Sequence, residues 1–532
     1  MAKSQTNTVM LRSLIALLVM IAAGCTLDQP RIIVITATPE SNAAAAIPQL
    51  QQPADTDAAS GITNGSANET VPLSVNDSQP KEHIVQPGDT LSRIAQQYGT
   101  SLAALIAENN LANPDIIEVG QIIRLPTMPT AMSPSTLLIA DGLFVRGPYS
   151  SGFDVQTFIT QQPGYLRQLT DTVTTNTDTG AGFDEMLTSW EIVERVSLEY
   201  SVDVRLLLSL LEMKSGLLSN PTPDPLKVLF PIISLDQSLG INRTGLYRQL
   251  AYVANELNRG YYGYKTRGLR VLEFQDGTRF QINSALNSGS IGIQYFLSRN
   301  QLPAAWLAEV SANGGFIATY TRLFGVPAVD ASTPLISGNL VQPELTLPFA
   351  PGEVWLYTGG PHGGWGSGSA WASLDFAPPD ERPPGGSFCY ISVTPIRAVA
   401  SGTIVRSGNG TVILDLDGDM NEGTGWNIVY LHLSPSIGPG EAVAPGDVLG
   451  TASCAGGFSS ATHLHIGRKF NGEWIPADCS GCAAGFTVTP FTMSGWTAAG
   501  IPGQEYQGFL TAGGIRRQAE QGRETTINQI SW

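Results

Sequence analysis

The sequence predicts a multidomain protein with a small βααβ module, a mainly helical middle region and an antiparallel all-β region at the C-terminus. Three observations support this prediction. The chain has 532 residues, more than one hydrophobic core supports, because a domain usually holds about 100–200 residues. Apolar residues recur at helical spacing through the middle region, whereas short apolar runs broken by turn residues fill the last third. The 57 glycines and 35 prolines also favour turns and linkers.

The N-terminus has the features of an exported lipoprotein. Positive charge at Lys3 and Arg12 precedes an apolar run, Leu14 to Ala23, that is too short to span a bilayer. The run ends in small residues followed directly by Cys25, an order that resembles the bacterial lipobox. The resemblance implies a signal peptide over residues 1–25, a lipidated Cys25 and membrane attachment of an extracytoplasmic cell-envelope protein. An ordinary secretory signal is the alternative.

The composition predicts a linker and excludes one class of partner. Residues 26–80 are polar and almost free of aromatic side chains, so we expect a disordered linker. The formal net charge is −16 and no block of basic residues occurs in the chain. Because polyanions are bound through clustered positive charge, we do not expect nucleic acid as a partner.

Residues 81–127 predict a small binding module. A short strand is followed by a Pro-Gly-Asp-Thr turn, two amphipathic helices and a second strand. The βααβ order and the stretches VQPGDTL, IAQQYG and IEVGQIIRLP resemble the LysM domain. The resemblance implies that two loops bind the N-acetylglucosamine-containing glycan of peptidoglycan, through Gly88, Asp89, Thr90, Asn113, Pro114 and Ile116. Each of these residues is alternatively a plain turn or capping residue.

Residues 128–340 predict a linker and a mainly helical domain. Apolar spacing predicts three successive helices that end at Tyr200, Gly216 and Gly260. The second of these faintly resembles the catalytic helix of lysozyme-like lytic transglycosylases, but Lys214 precedes the serine where that family has its acidic glutamate. A protonated lysine cannot act as that acid. The alternatives are therefore a degenerate, inactive lysozyme-like scaffold and an unrelated helical domain.

Histidines are concentrated in the last third, where four of the five lie between His362 and His465. Alternate residues of a strand face the same side, so His463 and His465 would project into one pocket. Catalytic zinc sites use three His or carboxylate ligands and keep one position for water. His362, Asp375 and His465 can supply these ligands. His463 and His432 are then free imidazoles, suited to accept a proton from the water and to stabilise an oxyanion.

Residues 346–496 resemble the LytM/lysostaphin superfamily of zinc endopeptidases. Most members have a His-x-x-x-Asp motif, whereas twelve residues separate His362 from Asp375, as in the β-lytic and staphylolysin branch. The resemblance implies an antiparallel all-β peptidase domain that hydrolyses peptide cross-links in peptidoglycan. It also implies one Zn²⁺ per chain on the three ligands named above, and a zinc-bound water activated by His463 with assistance from His432. Residues 497–532 are left as a C-terminal tail.

Four cysteines lie in the same third of the chain, at Cys389, Cys454, Cys479 and Cys482. They fit an exported protein, and three disulfide pairings are open to them. The β-lytic branch has one long-range and one local disulfide, which implies Cys389–Cys454 and Cys479–Cys482. A second zinc site is the alternative.

The run from Asp415 to Glu422 is similar to a fragment of a calcium-binding loop. It carries three aspartates at alternate positions but lacks the full spacing that ends in a bidentate glutamate. A polar hairpin between two strands is the favoured interpretation, and calcium binding at Asp415–Asp419 is left open.

These patterns indicate a lipid-anchored zinc metalloendopeptidase that acts on peptidoglycan. The alternative is a non-catalytic LysM–LytM lipoprotein that regulates other wall hydrolases at division. Such regulators usually lack zinc ligands, and all the ligand positions are filled here. A third hypothesis is a zymogen in which residues before about 345 inhibit the peptidase.

Overall fold

A computed structural model describes residues 82–98, 100, 102–111, 113, 116–126, 131–238, 241–329, 335, 336, 338, 340–479, 482, 486–522 and 526–532. The predicted signal peptide, Cys25 and the predicted linker lie outside this part of the chain. Within it, no helix has both the length and the apolar character needed to cross a membrane.

The N-terminal module has the predicted βααβ order. Its elements are β1 (Glu82–Ile84), α1 (Leu91–Gln97), α2 (Leu102–Asn109) and β2 (Ile122–Arg124). The two strands pair antiparallel with His83 opposite Ile123. Thr90 caps α1, because its hydroxyl oxygen accepts from the Arg93 backbone N–H at 3.1 Å. Ile94 and Leu105 are fully buried between the helices and the strand pair, which closes a small separate core.

The middle region is mainly helical, as predicted. Its helices are α3 (Asp141–Phe144), α4 (Val155–Gln161), α5 (Ser189–Tyr200), α6 (Val204–Ser215), α7 (Pro225–Leu229), α8 (Leu246–Thr266), α9 (Ser288–Arg299), α10 (Pro303–Val310) and α11 (Gly315–Phe324). It also contains two antiparallel hairpins that the sequence analysis did not predict, β3 (Thr170–Asn176) with β4 (Gly182–Thr188), and β5 (Val271–Glu273) with β6 (Arg279–Gln281).

Helix boundaries in this region follow local signals, with one exception. The Asp203 side chain accepts from the Arg205 backbone N–H and starts α6, and Gly216 ends it with φ of 68°. The prediction that α8 ends at Gly260 is wrong, because the helix continues to Thr266. A Cβ at Gly260 would lie 2.5 Å from the Cβ of Tyr295 on α9, so this glycine allows two helices to pack closely.

The C-terminal region is antiparallel and all-β, as predicted. In the described residues its main sheet contains β7 (Trp355–His362), β8 (Ser373–Ala377), β10 (Gly402–Gly408), β11 (Thr411–Asp415), β12 (Trp426–Leu431), β14 (Ala442–Val443), β16 (Leu464–Phe470), β17 (Glu473–Trp474) and β22 (Gln529–Ile530). The strands have the order β14-β10-β11-β12-β16-β8-β7-β22, with β17 added on β16. A smaller sheet contains β9 (Pro395–Arg397), β13 (Leu433–Pro435) and β15 (Val448–Ala452).

Residues 497–532, set apart above as a tail, are instead part of this β domain. They contribute to a third sheet of β18 (Thr492–Met493), β19 (Trp496–Ile501), β20 (Gln504–Ala512) and β21 (Ile515–Gln518). The chain then returns to the main sheet, where β22 pairs with β7 and Ile530 lies opposite Trp355. Ile530 and Leu510 are fully buried in the core of the β domain, which holds the segment in place.

The middle region and the β domain share a hydrophobic core. One cluster of buried side chains includes Tyr262 of α8 together with Ile413, Val429 and Trp474 of the main sheet. The Trp474 backbone N–H donates to the Tyr262 hydroxyl at 3.0 Å. Removing the middle region would therefore expose apolar surface of the sheet to water, and this exposure would lower the stability of the β domain.

A largely buried ion cluster joins β10 and β16 of the main sheet to the loop between β11 and β12. Both Glu422 oxygens accept from Arg406, at 2.9 and 3.1 Å, and Lys469 donates to the same carboxylate at 3.1 Å. Burial opposes the charge on Glu422, but Arg406 and Lys469 outweigh it and lower the pKa of Glu422 to about 2. The cluster is therefore ionised at neutral pH.

We expect Glu422→Gln to destabilise the protein by about 3 kcal/mol at pH 7, because it leaves the buried Lys469 and the half-buried Arg406 without their anion. The pKa of Glu422 in the folded protein lies below the ordinary value of 4.5. The difference in stability between wild type and variant is therefore complete above pH 4.5 and is lost as the pH falls towards about 2. Thermal unfolding of both proteins at pH 7 and pH 3 measures this. Glu441→Gln, at an exposed glutamate, is the control. Equal melting temperatures of the wild type and Glu422→Gln at pH 7 would contradict the prediction.

Candidate metal centre and its cleft

Three adjacent strands of the main sheet hold the predicted zinc ligands. His362 ends β7, Asp375 lies in β8 and His465 lies in β16. β8 pairs with both neighbours, and His465 stands directly opposite Asp375. Directly opposite residues of an antiparallel pair project on the same face, so the sheet itself brings these side chains together.

The three side chains converge at hydrogen-bond distance. His362 Nε2 lies 2.9 Å from His465 Nδ1. Asp375 Oδ1 lies 3.2 Å from His362 Nε2 and 3.1 Å from His465 Nδ1. The opposite ring nitrogens donate to backbone carbonyls, His362 Nδ1 to Gly360 at 2.8 Å and His465 Nε2 to Gly364 at 3.1 Å. In the neutral tautomers that donate to these carbonyls, each imidazole directs its other nitrogen's lone pair towards the carboxylate, a set of donors that fits a metal cation.

Two further imidazoles face this cluster. His463 Nε2 lies 3.7 Å from Asp375 Oδ1, and its Nδ1 donates to the Ala461 carbonyl at 2.8 Å. His432 Nδ1 donates to the Ala455 carbonyl at 2.9 Å, and its ring centroid is 4.6 Å from that of His463. Each ring thus keeps its Nε2 lone pair available for a proton. The structure brings all five predicted residues into one site.

The protonation states follow from burial and from the shared carboxylate. Burial, together with His463 and His465, holds the pKa of His432 well below its ordinary value. Burial also lowers the pKa of His465. For Asp375, His362 and His463 outweigh the effect of burial and hold its pKa well below the usual range. Burial opposes the charge on His362, but the Asp375 carboxylate outweighs it and raises the pKa of His362. Asp375 is therefore the anion of the site.

Two cleft residues were missed by the sequence analysis, and both lie on β20. The Tyr506 ring stacks on His362 with centroids 4.3 Å apart and 21° between the planes. Glu505 accepts from the Gly363 backbone N–H at 3.1 Å. The signal was the Pro502-Gly503 turn between two alternating runs, which predicts a hairpin rather than a tail.

Helix α8 supports the glycine-rich loop that carries Gly364. The Asn255 side-chain oxygen accepts from the Gly368 backbone N–H at 2.9 Å. Arg267 donates to the Ser369 carbonyl at 2.8 Å. Because the Gly364 carbonyl orients His465, the middle region indirectly supports the metal site.

The site opens into a cleft of about 2040 Å³ whose walls come from both the β domain and the middle region. Thr174, Asn176 and Glu185 of the β3–β4 hairpin line this cleft together with the five site residues.

The hairpin tip pairs with the loop that follows Cys454. Asn176 exchanges two backbone hydrogen bonds with Gly456, at 3.1 and 3.4 Å, and its amide donates to the Gly457 carbonyl at 3.1 Å. The Cys454 backbone N–H donates to the Asp178 carbonyl at 3.0 Å. This strand-like contact lies beside the Ala455 carbonyl that orients His432, so the tip occupies one end of the cleft.

Disulfides join Cys389 to Cys454 and Cys479 to Cys482, the pairing that the family resemblance implies. The first bond fixes the loop that the hairpin tip contacts. Because both pairs are oxidised, these cysteines do not form the alternative zinc site.

The predicted glycan-binding residues have different environments. Gly88 and Ile116 are exposed, Ile116 by 63%. Asp89, by contrast, is engaged inside the module, because its carboxylate accepts from the Gln86 backbone N–H and contacts His83 Nε2, both at 2.7 Å. These contacts give the Asp89 side chain a structural role in the turn, and its contact with glycan stays a prediction. Asn113 is exposed, and Pro114 lies outside the described residues.

The helix compared above with transglycosylases has no available acid. The Glu212 carboxylate accepts from Arg322 at 2.9 Å and from the Leu218 backbone N–H at 2.8 Å. Lys214 is paired with Glu309. These contacts give both side chains structural roles.

Comparison with family models identifies three segments of the chain. Residues 83–126 match the LysM domain, residues 137–336 match the LasA N-terminal domain, and residues 385–476 match peptidase family M23. The chain therefore carries a LysM domain and a peptidase M23 domain. The M23 match includes His432, His463 and His465, whereas His362 and Asp375 precede it.

Parts of the chain are also similar to individual proteins. Protease LasA of Pseudomonas aeruginosa strain UCBPP-PA14 is 26% identical over 362 residues, covering 64% of this chain and 76% of LasA. The N-acetylmuramoyl-L-alanine amidase XlyA of Bacillus subtilis is 36% identical over 78 residues, 14% of this chain and 26% of that protein. Among solved structures, the deep-sea M23 metalloprotease pseudoalterin is 23% identical with a TM-score of 0.26, covering 34% of this chain and 96% of that one.

Proposed function

We propose that this protein is a zinc metalloendopeptidase of the β-lytic type that hydrolyses peptide cross-links of peptidoglycan. The observation that carries the proposal is the convergence of His362 Nε2, His465 Nδ1 and Asp375 Oδ1, because two imidazole nitrogens and a carboxylate oxygen meet within 3.2 Å of one another. Three N and O donors beside an open cleft fit a catalytic rather than a structural zinc site.

The chain's own residues supply the proton transfers. A zinc ion on these ligands would polarise the scissile carbonyl and acidify water. His463 is proposed as the general base, because its Nε2 is free, lies near Asp375 and borders the cleft. His432 presents a second free Nε2, and once protonated it can donate to the developing oxyanion or to the leaving amine. Tyr506 packs on His362 and limits the movement of that ring.

We further propose that the LysM domain binds the glycan while the peptidase domain cuts the peptide. Lipidation of Cys25 would hold both at the cell envelope. The glycan contacts would then involve the six predicted residues Gly88, Asp89, Thr90, Asn113, Pro114 and Ile116. The small-small-Cys order after the apolar run supports the lipid anchor.

Metal analysis tests the proposal against the alternative of a non-catalytic regulator. We expect about one zinc per purified chain, loss of peptidoglycan hydrolysis on chelation, and recovery of activity when Zn²⁺ is returned. Mass spectrometry of the released fragments should identify newly formed peptide termini. A metal-free chain that stimulates a wall amidase without cutting peptide would instead establish the regulator.

A second proposal concerns restraint of the peptidase by the middle region. The hairpin tip at Asn176–Asp178 makes strand-like hydrogen bonds with the loop beside His432 and lines the same cleft. A substrate peptide in extended conformation would need this part of the cleft. We infer that the hairpin lowers the activity of the intact chain.

A further inference from the structure

The loop between β11 and β12 gathers three carboxylates away from the zinc site. Asp415 ends β11, and Asp417 and Asp419 follow at alternate positions. One oxygen of each carboxylate lies within 4.8 Å of the others. Asp415 is fully buried, while Asp417 and Asp419 are exposed. Carboxylates held this close repel one another unless a cation or a shared proton lies between them.

A buried amide oxygen independently indicates a ligand at this loop. Asn427 of β12 is fully buried, and its Oδ1 has no hydrogen-bond partner among the residues that the structure describes. Its Nδ2 donates to the Thr424 carbonyl at 2.8 Å, so the amide lies within the loop. Asn427 also stands directly opposite Asp415 in the strand pair, and the two side chains therefore share one face. A buried polar atom without a partner is costly, and a bound cation would satisfy it.

The loop backbone has the form of a cation-binding turn. Asp415 accepts from the backbone N–H groups of Asp417 and Met420, at 3.2 and 2.9 Å. Counting from Asp415, the aspartates occupy positions 1, 3 and 5, and Met420 at position 6 has φ of 63°. An EF-hand loop has oxygen ligands at the same three positions and a glycine at the sixth. Glu422 is not available as a ligand, because Arg406 and Lys469 engage it.

We propose that this loop is a Ca²⁺ site formed by Asp415, Asp417, Asp419 and the Asn427 amide oxygen. Four oxygen donors without nitrogen or sulfur favour Ca²⁺ over Zn²⁺, and backbone carbonyls or water complete its six to eight ligands. The affinity belongs to the weak extracellular class, with a Kd of about 0.1–1 mM. The neighbouring Asn421 amide donates to Ser151 of the middle region at 2.9 Å. Calcium therefore stiffens a contact between the middle region and the β domain.

Calorimetric titration of the full chain with CaCl2, after removal of loosely bound metal and with zinc present, tests the site. We expect one Ca²⁺ per chain and a melting temperature about 3 °C higher in 10 mM CaCl2 than in 10 mM MgCl2. The double variant Asp417→Asn, Asp419→Asn should bind Ca²⁺ at least about tenfold more weakly. Asp276→Asn, an exposed carboxylate in the β5–β6 turn, is the matched control and should bind as the wild type does.

Two results would overturn the calcium site. One is the lack of a binding signal in the wild type up to 10 mM CaCl2. The other is unchanged binding by the double variant, which would place the ion elsewhere. Neither result depends on peptidase activity, so the calcium site and the proposed function fail or succeed separately.

Discussion

Replacing His463 with alanine is expected to lower peptide hydrolysis by about 10²–10⁴-fold while zinc remains bound, because the variant removes a proton acceptor and not a ligand. His362→Ala is expected to lose both activity and zinc. Its Nε2 is one of three donors that meet within 3.2 Å, and two donors do not hold a catalytic zinc tightly. The pair of variants therefore separates the two proposed roles.

The measurement uses zinc content together with hydrolysis of a soluble cross-linked peptide. A soluble substrate removes any contribution from the LysM domain. His83→Ala is the matched histidine control, because His83 is the remaining histidine of the chain and lies in that domain. Full activity in either site variant, or loss of zinc from His463→Ala, would contradict the assignment of roles.

The main elements of the site could be predicted because local sequence encodes them. Strand periodicity places His463 and His465 on the same side. β16 pairs on one edge with β8, which carries Asp375, and on the other edge with β12, which ends just before His432. The glycine loop after His362 is also visible in the sequence. What joins these pieces is strand pairing between residues about 90 positions apart, such as Asp375 and His465. The spacing of residues alone does not predict that pairing, whereas the family resemblance implies that these residues bind one metal ion.

The remaining features depend on contacts that no local pattern records. Gly260 looks like a helix stop, yet it serves close packing against Tyr295. The segment after residue 496 looks like a tail, yet Ile530 pairs with Trp355 on the main sheet. Likewise, Asp89 looks like an exposed turn residue until His83 is found beside it. In each case a contact outside the local pattern, six residues away for Asp89 and far along the chain for the other two, changes the meaning of the local signal.

The shared core also changes how the zymogen hypothesis must be tested. A truncation near Gln342 would remove Tyr262 and its neighbours from the face of the sheet that holds Trp474. It would also remove Asn255 and Arg267, which support the glycine loop of the metal site. In such a truncation, release of inhibition and loss of the folded structure would occur together, and an activity assay would not separate them. Shortening the hairpin alone leaves both supports in place.

We expect replacement of residues 175–183 by a two-residue Asn-Gly turn to raise peptidase activity on the order of tenfold to hundredfold. Thr174 lies opposite Asp184 in the strand pair, so the shorter hairpin keeps its remaining register and gains a favoured turn. The change removes the hydrogen bonds of Asn176 and Asp178 to the loop after Cys454. Several such bonds, each worth about 1 kcal/mol net, are enough to keep most molecules closed.

Initial rates on a soluble cross-linked peptide, at equal zinc content, measure the effect of shortening the hairpin. Asn176→Ala should raise activity less, because the backbone bonds of the tip remain. Asp184→Ala is the control within the hairpin, since it removes only the contact with Thr174 at 2.7 Å. If the shortened protein keeps its melting temperature and zinc but is no faster than the wild type, the hairpin does not restrain the peptidase. If it is faster only on intact peptidoglycan, the tip limits access of the polymer rather than binding of the peptide.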